Sequence, residues 1–391
     1  MGSHQESEVV SVGENEQKPE TNTLSSDSFD EKNIKISEEE LLQQKIEEKL
    51  SSMTLEEKIY QLFIITPEAL TGYGTVTEAG EISRSKLKQY PVGGVIYFSN
   101  NLINTVQTTT MLNNMMTYSY EIQGMPLFTC IDEEGGRIAR IGDNPAYDAE
   151  SVGCMRDIED SEEAFQAGET IGTYLSELGF NFNFAPDADV LTNSKNSVIG
   201  DRSFGDDPER VTELAVAVSD GLHSRNVMSS FKHFPGHGAT EGDTHEGFAY
   251  TDKSYEELLK SEFKPFLAAT DNNVDAIMVA HISVPNVVGD NTPCSLSSKM
   301  ITEILRNDIG YDGLVITDAL NMGAISRNYS SDDAAIMAVN AGVDLLLMPK
   351  NFDQAVDGVL KAVNEGRISE ERVDESVKRI ICAKLLLMDK A

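Results

Sequence analysis

Nowhere does the chain carry an apolar run of about 18 residues, the minimum for a helix that crosses a bilayer, so no segment reads as membrane-spanning. It also lacks any basic cluster: 31 Lys and Arg stand against 65 Asp and Glu, a net charge of −34. Nucleic acids and anionic membrane surfaces are bound through basic faces, so neither is expected as a partner. A neutral polar ligand such as a carbohydrate suits this surface better. Cysteine is scarce. Cys130, Cys154, Cys294 and Cys382 are too few for a disulfide scaffold, and none forms a CxxC pair of the zinc or redox kind. Cys130 falls in an apolar strand-like run and Cys382 in a helical one, so buried free thiols are expected. No secretory signal is visible. The opening Met-Gly-Ser-His reads as an expression remnant, which makes export to the cell surface, with the signal removed, the expected localisation and the cytoplasm its alternative.

Hydrophobic residues make up 40 % of the 391 and charged ones 25 %, enough for a large soluble core. Residues 1–36 are rich in Glu, Ser, Asn, Asp and Thr and poor in large apolar residues, so they are expected to form a flexible acidic tail or linker. Residues 37–391 are expected to form one catalytic domain. It opens with a helix over "SEEELLQQKIEEKLSSM", with an acidic first turn after Ser37.

Beyond that helix, short apolar runs alternate with longer amphipathic segments. The runs are Ile59–Thr66, Val92–Phe98, Leu127–Asp132, Phe182–Pro186, Met228–His233, Ala276–Ile282, Gly313–Asp318 and Val343–Pro349. They are continuous rather than alternating, as in parallel strands buried on both faces. Helical spacing marks Glu162–Leu178, Pro208–Ser224, Ser297–Asp308, Phe352–Glu365 and Glu370–Met388. Eight strands alternating with helices predict an α/β fold, a (β/α)8 TIM-type barrel, with an open doubly wound sheet as the fallback. The open sheet would be favoured by a glycine-rich dinucleotide fingerprint after the first strand, and "VGGVIYF" has its glycines before the strand instead.

Active sites of such barrels gather at the C-terminal ends of the strands. Unusual polar residues fall at that end repeatedly, in "CIDEEGGR", "NFAPDADV", "FKHFPGHG", "VAHISVP" and "VITDALNMG". Each one alone could be a helix cap or a satisfied buried group; five coincidences at one rim point to a site. "FKHFPGHGATEGDTH" packs Lys232, His233, His237, Asp243 and His245 together. His233 and His237 have the spacing of a helical zinc motif, but Pro235, Gly236 and Gly238 oppose a helix, so neither a metal nor another cofactor is expected. Asp243 and His245 are two apart, and in an extended stretch they face one way. The carboxylate could then fix one imidazole nitrogen and leave the other for proton transfer; the bland alternative is a solvated loop. Asp318 follows the buried run "GLVIT". Its neighbours "ALNMG" make a poor helix start, which weakens the reading of Asp318 as a cap.

"KHFPGHG" at 232–238 followed by Asp243-Thr-His245, together with "IDEEGGRIARI", "NFNFAPDADV", "GDRSFGDDP", "AHISVPNV", "GYDGLVITDALNMGAI" and "AGVDLLLMP", resembles family 3 glycoside hydrolases, specifically their NagZ-type β-N-acetylhexosaminidase branch. The likeness runs over roughly residues 50–389. It implies that Asp318 is the nucleophile, His245 the acid/base and Asp243 its dyad partner. It implies further that Asp132, Arg140, Arg202, Lys232 and His233 hold the terminal sugar. The branch motif is normally Asp-Ser-His, and here it is Asp-Thr-His.

The chemistry implied is retaining removal of terminal β-linked N-acetylglucosamine through a covalent glycosyl-enzyme, from peptidoglycan fragments by family expectation. A histidine whose free pKa is about 6.5 suits a group that must donate and then accept a proton. The alternatives are a β-glucosidase or β-xylosidase of the same family, whose acid usually sits on a second domain, and a phosphorylase that passes the sugar to phosphate. From another class, an inert sugar-binding surface protein would be expected to lack Asp318 or His245. A monomer is expected.

Overall fold

The computed structural model describes residues 37–242 and 249–390. The expected tail at 1–36 lies outside the described residues, and so does the segment 243–248. The eight apolar runs each yield one strand: β1 Phe63–Ile65, β2 Gly94–Ile96, β3 Phe128–Ile131, β4 Phe182–Asn183, β5 Ser230–Phe234, β6 Ala276–Val279, β7 Leu314–Thr317 and β8 Leu346–Leu347. Every residue in them is buried, which explains the unbroken apolar runs. All ladders are parallel. One sheet has the order β4-β3-β2-β1-β8 and the other β5-β6-β7.

Two junctions join the sheets edge to edge. Phe182 at β4 bridges in parallel to Met228 just before β5, with Asn183 N–H donating to the Met228 carbonyl at 2.9 Å. Ile316 of β7 bridges in parallel to Leu345 just before β8, with Thr317 N–H donating to the Leu345 carbonyl at 3.0 Å. The chain is thus an α/β fold of parallel strands whose C-terminal ends all face one way.

Helices sit between the strands and cover them. The first, Glu38–Ser51, starts where the acidic turn placed it, with Ser37 and Glu40 capping each other's backbone N–H. Ser161–Leu178 and Pro208–His223 begin at Asp160 and Asp207, and the former ends on Gly179 in the left-handed conformation. The segment Lys299–Asp308 is wound as a π-type helix. The largest shift of a strand start from expectation is at β1. The run from Ile59 yields β1 only from Phe63, because Thr54 and Glu57 form a capping box that carries a helix through Leu55–Gln61. All four cysteines are free thiols, Cys130 and Cys294 buried, Cys154 and Cys382 partly so. No helix among the described residues is long and apolar enough to cross a membrane.

Candidate active site

Because side chains after the last strand residue project past the sheet, the segments that end β3 to β7 deliver their polar groups to one rim. Asp132 follows β3; Asp187 and Asp189 follow β4; Lys232 and His233 lie within β5, towards its C-terminal end; His281 follows β6; Asp318 follows β7. A parallel bridge between Asp187 and Lys232 ties the β4 and β5 exits, and Ala188 N–H donates to the Lys232 carbonyl at 2.7 Å.

Glu134 is the hub of the cluster. Its carboxylate takes Arg202 on both oxygens, at 2.7 Å from Nε and 2.8 Å from Nη2, and Lys232 Nζ at 2.6 Å. Lys232 also reaches Asp132 Oδ1 at 2.8 Å, and Arg202 Nε lies 3.3 Å from Asp187 Oδ2. Burial would push the Glu134 carboxyl up, but Arg202 and Lys232 pull it far below the usual range. Burial would likewise pull the Lys232 ammonium down, and Asp132 and Glu134 more than restore it. Both cations therefore stay charged although almost no water reaches them.

His233 places Nδ1 2.8 Å from Asp189 Oδ2 and Nε2 3.4 Å from Arg202 Nη2. Burial, then the Arg202 guanidinium, pulls its pKa down to about 4. A neutral ring with a carboxylate on Nδ1 carries its proton there, which leaves Nε2 as an acceptor. Asp189 also accepts the His237 N–H at 2.5 Å. Burial raises both Asp187 and Asp189, and the neighbouring Asp189 raises Asp187 further.

Asp318 stands apart from the ion pairs. Its N–H donates to the Val279 carbonyl at 2.9 Å, which locks it to the end of β6, and its Oδ1 accepts the Ala319 N–H at 2.7 Å. The next helical turn begins only at Gly323, capped by Met322, so Asp318 is not a helix cap. Burial alone raises this carboxyl. The imidazoles of His281 and His233, the Ala319 N–H and the Lys232 ammonium outweigh it and hold the group below the usual carboxylate range. His281 is itself fixed, Nδ1 to Ser295 Oγ at 2.7 Å and Nε2 to the Ala319 carbonyl at 3.0 Å.

Of the expected residues, Asp132, Arg202, Lys232 and His233 meet in this network, and Asp318 feels the charge of Lys232. Arg140 lies on the loop after β3, half-buried, its Nε buried without a hydrogen-bond partner. Asp243 and His245 lie outside the described residues. The chain on either side of them is fixed to the same rim: Glu241 and Tyr250 exchange backbone hydrogen bonds at 3.1 and 3.2 Å, and Ser283 N–H donates to the Ala249 carbonyl at 2.9 Å beyond β6. Glu134, Asp187, Asp189 and His281 were not singled out from sequence, although the segments that carry them were.

Among the described residues, Asp187, Asp189 and His233 are the group whose donor atoms could close on a metal, all within 4.8 Å of one another. The Arg202 guanidinium already lies 3.3 Å from Asp187 Oδ2 and 3.4 Å from His233 Nε2, and His233 Nδ1 faces Asp189. His233 and His237 lie in a strand and a tight turn with ring centroids 5.9 Å apart, not on one helix. Two cavities, of about 530 and 670 Å³, open near Gln61 and Gln123 and near His223 and Asp275, at the N-terminal ends of the strands. Neither touches the carboxylate network. We place the site by the converging buried charges, since volume alone performs no chemistry.

The family model for the glycosyl hydrolase family 3 N-terminal domain matches residues 54–383. Beta-hexosaminidase A of Pseudoalteromonas piscicida is 34 % identical over 325 residues, covering 77 % of this chain and 54 % of that protein. The beta-hexosaminidase of Nitrosomonas eutropha is 32 % identical over 314 residues, covering 77 % of this chain and 88 % of that protein. The solved family 3 beta-N-acetylglucosaminidase of Paenibacillus sp. str. FPU-7 superposes with a TM-score of 0.81 at 36 % identity, covering 87 % of this chain and 64 % of that one. The chain therefore spans about half of the first of these relatives and nearly all of the second. On the extent and order of that match, this chain belongs to glycosyl hydrolase family 3, as its N-terminal domain.

Proposed function

We propose that the chain is a retaining exo-β-N-acetylglucosaminidase that removes terminal β-linked N-acetylglucosamine, with peptidoglycan fragments as the natural source. One observation carries this: a carboxylate, Asp318, is fixed just after β7 beside a network of buried ion pairs and is held below the usual carboxylate range by His281, the Ala319 N–H and Lys232. The names of the relatives supply the sugar. Residues 37–391 form the catalytic domain in this reading, and the two parallel junctions support closure of the eight strands into a (β/α)8 barrel with the cluster in its mouth.

Asp318 attacks the anomeric carbon. Its Oδ1 already accepts the Ala319 N–H, so Oδ2 forms the new C–O bond. As the bond to the leaving oxygen breaks, His245 gives that oxygen a proton. His245 then takes a proton from water, the water oxygen attacks the anomeric carbon, and Asp318 leaves as a carboxylate. Asp243 orients the His245 ring. Asp132, Arg140, Arg202, Lys232 and His233 hold the sugar, with Glu134 keeping Arg202 and Lys232 side by side.

The test is hydrolysis of an aryl β-N-acetylglucosaminide against the aryl β-glucoside, with and without phosphate. Preference for the first and indifference to phosphate are expected. Phosphate-dependent turnover would overturn hydrolysis, and preference for the glucoside would overturn the sugar. Asp318→Ala should abolish turnover. His245→Ala should slow substrates with poor leaving groups far more than activated aryl glycosides, and equal losses would remove His245 from the acid role.

A further inference from the structure

Three acids stand in a row after β3, and the structure sends each to a different place. Asp132 takes Lys232 at the rim, and Glu134 takes Arg202 and Lys232. Glu133, between them, meets no cation among the described residues. It is fully buried, and its carboxylate accepts the consecutive backbone N–H groups of Arg140 at 2.6 Å, Ile141 at 3.1 Å and Gly142 at 2.8 Å, with the Tyr174 hydroxyl at 2.9 Å. Its own backbone is clasped by one side chain from β4. Glu133 N–H donates to Asn183 Oδ1 at 2.9 Å, and Asn183 Nδ2 donates to the Glu133 carbonyl at 2.8 Å.

A buried carboxylate with four donors is a demanding arrangement, because each donor lost leaves a charge without solvation. Its effect is to fix the backbone of Arg140 against β3, β4 and the helix Ser161–Leu178 together. Yet the side chain that this clamp presents is left unanswered: Arg140 forms no ion pair among the described residues, and its Nε is buried without a partner. A backbone held this firmly under a guanidinium whose buried Nε has no partner is suited to meet an oxygen that arrives with a ligand.

We infer that Glu133 is a positioning residue for substrate, acting through Arg140: its carboxylate sets the Arg140 backbone so that the guanidinium is preorganised for an oxygen of the bound sugar. This rests on the proposed function, in which Arg140 holds the sugar. Glu133 itself touches no substrate.

A double-mutant cycle tests it, with Glu133→Gln, Arg140→Met and the pair, read as kcat/KM on the aryl β-N-acetylglucosaminide and as unfolding midpoint. Glu133→Gln alone should lower kcat/KM about tenfold, mainly through KM, and in the Arg140→Met background it should lower it no further. Independent, multiplying losses would overturn the inference, because they would mean that Glu133 supports the site by a route other than Arg140. If Glu133→Gln does not fold, Tyr174→Phe, which removes one of the four donors, replaces it in the same cycle. Full kcat/KM in Arg140→Met would instead remove Arg140 from sugar binding, a failure of the functional reading that the cycle separates from additivity.

Discussion

Lys232 Nζ lies 2.6 Å from Glu134 Oε1, and the other side of that carboxylate is filled by the Arg202 guanidinium. One anion thus separates two buried cations. Removing one partner of such a group leaves uncompensated charge, which costs about 3–5 kcal/mol. Glu134→Gln should lose that much in urea unfolding, together with activity. Because the folded Glu134 carboxyl is depressed, its support is fully present above the free carboxyl range and is lost progressively as pH falls from there through the lower folded value. A loss below about 1 kcal/mol would mean that the two cations tolerate each other without it.

Lys232 also acts on Asp318. It favours the ionised carboxylate, so taking its charge away must raise the Asp318 pKa. As the proposed nucleophile, Asp318 has to be ionised, so activity is expected to fall as pH drops through that pKa. Lys232→Met should therefore move the acidic limb of kcat/KM upward, by on the order of one pH unit, besides lowering the plateau. A limb that stays in place while the plateau drops would show that Lys232 holds sugar without tuning Asp318.

Local signals decided what could be read before the structure was known. The eight strands were legible because parallel strands buried on both faces write unbroken apolar runs, and the first helix start because the cap at Ser37 acts within a few residues. Ile59–Gln61 misled, since an apolar stretch does not reveal which of its residues a preceding capping box will take into a helix. Asp318 and Lys232 stood out as polar residues ending apolar runs. Glu133 and Glu134 did not separate: side by side and chemically alike, they part only because one finds Arg202, 68 residues on, and the other the amides of its own loop. Asp189 depends likewise on His233, 44 residues away.

The His233 ring should be neutral across the working pH range. Its folded pKa of about 4 lies below the free value of 6.5, so the folded state resists protonation and His233 withdraws support from the fold as pH drops through that window. Asp187 and Asp189, shifted upward, act in the opposite sense, so a stability curve alone would blend the two. Nitrogen NMR of the ring separates them. At pH 6 it should report a neutral imidazole protonated on Nδ1, the nitrogen facing Asp189. An imidazolium at that pH would contradict the assignment.

Gly236 and Gly289 both have positive φ, +128° and +94°, and differ in what a side chain would meet. At Gly289 a Cβ would find open space, so Gly289→Ala carries only the backbone penalty of roughly 1–2 kcal/mol. At Gly236 a Cβ would lie 2.5 Å from the Cβ of Glu262, which is buried and holds Thr192 Oγ1 at 2.7 Å. Backbone strain then adds to overpacking, worth about a further 1–3 kcal/mol. Gly236 also separates β5 from His237, whose N–H donates to Asp189, so relief by backbone movement would disturb the His233–Asp189 contact. Gly236→Ala should therefore unfold at clearly lower urea than Gly289→Ala and lose activity, whereas Gly289→Ala keeps it. Equal midpoints for the two variants would mean that the Glu262 side chain moves aside freely and that the close approach at Gly236 does not shape the site.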